Sequence, residues 1–137
     1  MTPGVPGGGA ADLRGATVAQ LLIPVGDLDR AVAWYRDTLG VPFLFSAPPQ
    51  MAFFQCGDTR LLVGVPESPG HRACASTVYF RVADIHAVHA TLVDREVRFA
   101  VPPHVVHKAA THDLWLAEFQ DPDGNHLALM SEAPPSP

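Results

Sequence analysis

Residues Val25-Gly-Asp27-Leu28-Asp-Arg-Ala31-Val32 return as Val82-Ala-Asp84-Ile85-His-Ala87-Val88, 57 positions later up to Ile85 and one residue shorter after it. No other feature restricts the folds open to this chain so strongly. Each copy follows a run of strand character, residues 18–25 and 76–82, and then opens a helix whose N-cap is the aspartate. Leu28, Val32, Tyr35 and Leu39 share one face of the first helix, and Gly40 supplies its C-cap. Ile85, Val88 and Leu92 form the equivalent stripe in the second. Three strand-like runs follow the first helix, at residues 42–46, 51–56 and 60–65, with Gly57-Asp58 as a hairpin turn. Runs at 97–100, 114–120 and 126–130 follow the second, the last two joined by Asp121-Pro-Asp-Gly124. The chain therefore reads as βαβββ twice. At 137 residues it has room for one core and not for two. Half of it would expose a bare sheet face, so the modules are expected to pair into one curved mixed sheet of an α+β fold.

Composition narrows the function classes. With 47% apolar and 17% charged residues the chain is globular, not disordered. A net charge of −5 with no basic stripe argues against a nucleic-acid partner. Mild acidity suits a cationic ligand and is equally ordinary for a soluble protein. Cys56 and Cys74 lack CxxC spacing and read as buried free thiols in a reducing compartment, a single disulfide being the alternative. Residues 1–11 have neither the basic nor the apolar region of a secretory signal, and no apolar run is long enough to span a membrane. A cytoplasmic location is the expectation. Residues 1–15 and 133–137 read as disordered Gly/Pro-rich tails around a single domain over 16–132, with modules at about 16–67 and 76–132.

The pattern Val-x-Asp-Leu-Asp-x-Ala-Val-x-Trp-Tyr-Arg-Asp-x-Leu-Gly at 25–40, with Asp121-Pro-Asp-Gly-Asn125, resembles the vicinal oxygen chelate (VOC) superfamily, the glyoxalase/bleomycin resistance protein/dioxygenase fold. That resemblance implies helices on the convex face of the sheet, a concave ligand cavity and a homodimer. It also implies a divalent metal held by four strands, whose open positions take two neighbouring substrate oxygens. By family register the four positions fall on Gln20, Val63 (or Leu61 with a slip of one pair), Thr77 and Ala128. This set has no anionic or imidazole ligand to offset the desolvation of a divalent ion, so no cofactor is expected at the usual centre.

Other side chains fall on the same faces. Alternation groups His126 and Met130 with Ala128, and Tyr79 and Arg81 with Thr77. Family register puts Glu118 in the cavity, with Leu114 and Leu116, while Trp115, Ala117 and Phe119 face the helices. Gln20, Thr77, Tyr79, Glu118 and His126 are thus expected to line one pocket. Three readings of Glu118 stay open. It could act with His126 as a catalytic acid or base in apolar surroundings. It could join Gln20 and His126 in a displaced site for Ni, Zn, Fe or Mn. Or it could sit at the rim, paired with Arg81 or water.

Of the remaining histidines, His86 and His89 flank the second helix stripe and read as solvated, and His71 lies between the modules. His104, His107 and His112 fall in residues 102–113, a long connection of the kind that forms lids and binding loops. Their spacing matches no rigid zinc motif, and His112 is the one expected nearest the cavity, as a ligand-binding residue. Trp34 and Tyr35 read as core. Two functions remain: a metal-free protein binding a small molecule, sequestering a toxic or antibiotic compound, or a lyase, isomerase (epimerase) or dioxygenase built on Glu118 and His126.

Overall fold

Asp27 and Asp84 both cap helices, accepting hydrogen bonds from the backbone N–H groups of Arg30 (3.1 Å) and Ala87 (3.1 Å). The computed structural model describes residues 11–47, 49–66 and 76–135; His71 and Cys74 lie outside them. Helix α1 covers Leu28–Ala33 and continues as a π-turn over Trp34–Thr38, where Leu39 N–H donates to Trp34 O at 3.0 Å. This wider last turn aims Tyr35 into the core, and Gly40 closes it at φ +79°. Helix α2 covers Ile85–Asp94, with Ile85 and Leu92 buried as the stripe requires.

The strands of the first module are β1 (Gln20–Pro24), β2 (Phe43–Ala47), β3 (Met51–Cys56) and β4 (Thr59–Gly64), in the order β1-β4-β3-β2. Those of the second are β5 (Val78–Arg81), β6 (Phe99–Lys108), β7 (Asp113–Gln120) and β8 (His126–Ala133), in the order β5-β8-β7-β6. In each module the first strand pairs in parallel with the last, and the other pairs are antiparallel. The βαβββ duplication and the α+β class are as the repeat implies. The eight strands form two four-stranded sheets that share no ladder.

One hydrophobic cluster serves both modules. Ile23, Tyr35, Phe54, Leu61 and Val63 from the first meet Ile85, Leu92, Phe119, Leu127 and Leu129 from the second. A buried polar joint lies beside it. The Asp121 carboxylate accepts from Asp123 N–H (2.9 Å), Asn125 N–H (2.9 Å), Asn125 Nδ2 (2.8 Å) and the Tyr35 hydroxyl (2.7 Å). Asn125 Nδ2 also donates to Pro24 O at 2.8 Å, and Gly26 N–H to Asp123 at 2.8 Å. The two motifs that stand out in the sequence thus hold the modules together. Trp34 is half-buried, edge-on to Tyr35 at 5.0 Å, as a core residue.

Three local expectations are corrected. Residues 102–108 are strand, not loop: β6 runs to Lys108, and only 109–112 form the hairpin turn. Pro102 and Pro103 disguise the strand in the sequence; it tolerates them because it is an edge strand with register shifts around them. Ala133 ends β8 and is not tail. The rings of His86 and His89 pack edge-on against Trp115 (4.7 Å) and Phe99 (4.5 Å), so they cover core aromatics as well as meeting solvent.

Candidate functional site

Alternation gives each sheet a face toward the shared core and an open face away from it. In β1 and β4 the core face is set by Ile23 paired with Val63 and by Leu21 paired with Leu61. Gln20 pairs with Arg60 and Leu22 with Leu62 on the open face. Val63, at 0% exposure, and Leu61, at 1%, are therefore core residues and not cavity residues. The reason is parity. The run Leu61-Leu62-Val63 has no polar alternation, so its faces are fixed only by pairing with β1. The residue overlooked in the sequence is Arg60, the only charged side chain among the strand residues of this open face. Its guanidinium carbon lies 5.4 Å from the centroid of Phe53, which stacks on Phe45 at 4.8 Å.

In the second sheet the expected faces hold. Trp115, Ala117 and Phe119 point to the helices, and Tyr79, Ala128 and Glu118 form one row across β5, β8 and β7. Ala128 is buried but stands outside the core cluster, screened on the open face by its neighbours. His126 lies two pairs along, the next on this face, opposite Gln120, whose Nε2 is 3.4 Å from His126 Nδ1. Glu118 and His126 are exposed, so a single chain does not build the apolar enclosure that a catalytic role for Glu118 requires. Arg81 pairs with Glu132 (3.2 Å), not with Glu118. Half-buried Thr77 immediately precedes β5 with the parity of Tyr79. His112 sits in the β6–β7 turn, its Nδ1 3.0 Å from Thr111 Oγ1. Glu118 lies six residues further along the chain, about 20 Å at strand rise, so His112 is not beside the predicted pocket.

The predicted pocket is thus divided. Gln20 lies on the first open face, and Tyr79, Glu118 and His126 on the second. Among the described residues no ladder, hydrogen bond or ion pair joins the two faces. Clefts of about 440 and 220 Å³ lie instead where the modules meet. The larger runs along Trp34, Phe99 and Gln120, the smaller along Val41, Cys56, Phe80 and Leu129. Burial pushes the Cys56 thiol up from its ordinary value, which makes it a poor nucleophile.

A divalent metal does not suit the donor set. At the four positions expected to hold the usual metal, the open faces of β1, β4, β5 and β8 supply Gln20, Arg60 or Leu62, Tyr79 or Thr77, and Ala128. An arginine beside the one metal-compatible ligand would repel a cation. Among the described residues no three His, Cys, Asp or Glu side chains gather, the histidines of β6 included.

The comparisons with known proteins agree with this architecture. A structure from Sphaerobacter thermophilus, a member of the Glyoxalase/bleomycin resistance protein/dioxygenase superfamily, is 28% identical, covers 85% of this chain and 98% of its own, and superposes with a TM-score of 0.68. Lactoylglutathione lyase from Agrobacterium tumefaciens is 23% identical over 85% of this chain and 93% of its own, with a TM-score of 0.65. An integron cassette protein from V. cholerae reaches a TM-score of 0.70 at 16% identity, over 85% of this chain and 94% of its own. No curated protein matches the sequence. Residues 17–129 match the Glyoxalase/Bleomycin resistance protein/Dioxygenase superfamily, and the chain belongs to that family.

Proposed function

We propose that the protein binds a small organic molecule without the usual metal centre, in a cavity that two copies complete. The first open face of one copy would cover the second open face of the other. The observation that carries this reading is the exposure of large apolar side chains on both: Leu22 at 48%, Phe45 at 47% and Tyr79 at 52%. Apolar surface of this kind marks a place where something binds. A two-fold exchange covers both faces with one self-complementary contact and closes the assembly. Sequestration of a toxic or antibiotic compound is the role this arrangement fits.

Sedimentation velocity tests the assembly. A dimer is expected, with Leu22→Arg and Tyr79→Arg giving folded monomers; a native chain that stays monomeric would refute it. Thermal-shift screening of dicarbonyls, acyl-CoA esters, catechols and basic antibiotics tests the binding, because a ligand raises the melting temperature with the logarithm of its occupancy. Ligand-induced stabilisation is expected to disappear in the two arginine variants.

A second reading, a lyase, epimerase or dioxygenase, is favoured by one observation. Glu118 and His126 share a face with Tyr79, close enough for an acid and a base to act on one ligand. Stoichiometric Ni, Zn, Fe or Mn in the purified protein, lost in Glu118→Ala or His126→Ala, would favour this reading over the metal-free one.

A further inference from the structure

Arg60 stands on the first open face, beside Gln20. It is exposed, pairs with Gln20 across β1 and β4, and is flanked by Leu22 and Leu62. Among the described residues it takes part in no ion pair, whereas Arg14, Arg30, Arg36 and Arg81 each hold a carboxylate. Its guanidinium carbon lies 5.4 Å from the centroid of Phe53, itself stacked on Phe45, and Gln55 is its neighbour across β3 and β4. A guanidinium resting on an aromatic ring is held in orientation without being neutralised. Both edges of its planar fork stay available to a carboxylate, which accepts two parallel charge-assisted hydrogen bonds. The surrounding apolar side chains offer the rest of such a ligand a place to lie.

We propose that Arg60 supplies the positive charge of the first open face, and that the ligand is a small aromatic or branched aliphatic carboxylate. The acid group sits on the guanidinium beside Gln20, and the hydrocarbon part lies over Leu22, Leu62 and Phe45. The proposal rests on the binding function above and specifies the ligand class. It runs against the cationic ligand that the net charge of −5 suggests, because net charge is a sum over the whole surface while Arg60 is the only charged side chain among the described strand residues of this face.

The test is titration calorimetry of the full chain with phenylacetate, phenylacetamide and phenethylamine, with amide shift mapping by NMR. Phenylacetate should bind about tenfold or more tightly than the amide, since charge-assisted bonds are roughly twice as strong as neutral ones. The shifts should centre on Arg60 and Leu62, and the amine should bind no better than the amide. Arg60→Met should abolish the preference for the acid, weakening acid binding at least about tenfold more than amide binding, while the chain stays folded with an unchanged melting temperature. Arg60→Lys should keep part of it, as a point charge without the fork.

Equal affinity of acid and amide at the same residues would overturn the proposal and leave the binding function standing. So would an acid preference that survives Arg60→Met. If Arg60→Met dissociates the dimer while the preference persists, Arg60 is a contact between copies and the proposal fails. If none of the three compounds binds and the thermal-shift panel is also silent, the binding function falls and this inference with it.

Discussion

Asp121 is the residue on which the joint between modules depends. Its buried carboxylate takes four hydrogen bonds, one from a tyrosine 86 positions away. Removing a partner from a buried charged acceptor leaves it short of compensation, so Tyr35→Phe should cost about 1.5–3 kcal/mol in urea unfolding. Arg30, whose half-exposed guanidinium pairs with Asp123 at 2.9 Å, is the contrast: Arg30→Ala should cost under about 1 kcal/mol. Cys56 carries a pH signature. Burial raises its thiol above the ordinary 9.0, so above that pH the folded state holds a proton that the unfolded state has lost. Its contribution to stability is complete below the unfolded value and is lost as pH rises through the folded one. Denaturant midpoints measured from about pH 8 to about pH 10.5 should fall, and fall less in Cys56→Ala.

At the scale of the elements, the end of α2 is a place where the sequence departs from the best local choice. Glu96 takes φ 68°, the left-handed position after the C-cap Arg95, with Val97 N–H donating to Leu92 O at 3.0 Å. Glycine is favoured there because it has no Cβ to clash, and it occupies the matching position, Gly40, after the first helix. Glu96→Gly should therefore raise stability by about 0.5–1 kcal/mol, the helix-end strain relieved exceeding the added chain entropy. A fall in the thermal midpoint would show that the Glu96 side chain has a role the backbone does not reveal. The two prolines of β6 make the opposite case, where a poor local signal is absorbed because an edge strand has spare backbone groups.

The whole molecule should unfold as one unit. The modules contribute to a single core and are tied by Tyr35–Asp121, Asn125–Pro24 and Gly26–Asp123. Neither has a second face of its own to bury. Trp34 reports on the first module and Trp115 on the second. Trp34→Phe and Trp115→Phe variants, each followed by its remaining tryptophan, should each show the same urea midpoint by fluorescence and by circular dichroism. Separate transitions for the two probes within one variant would mean that the modules are independent domains.

The repeat, the two aspartate caps and the Asp121–Asn125 turn were legible because they are local. A cap acts over three residues and a turn over four, and the family resemblance, extended by alternation along β7 and β8, put Glu118, His126 and Trp115 on the faces that the strand pairing shows. Other parts were not legible, each for a physical reason. The face of Leu61 and Val63 depends on which residue of β1 lies opposite, and an unbroken apolar run carries no parity of its own. The strand character of 102–108 was hidden by prolines that only an edge position tolerates. Whether Gln20 meets Glu118 is a matter of how two sheets are disposed in space, which no spacing along the chain encodes. By itself, the sequence determined the fold, through the repeat and the closing turn. Only the tertiary structure decided that the predicted pocket is divided between two open faces, and that Arg60, not a missing carboxylate, stands beside Gln20.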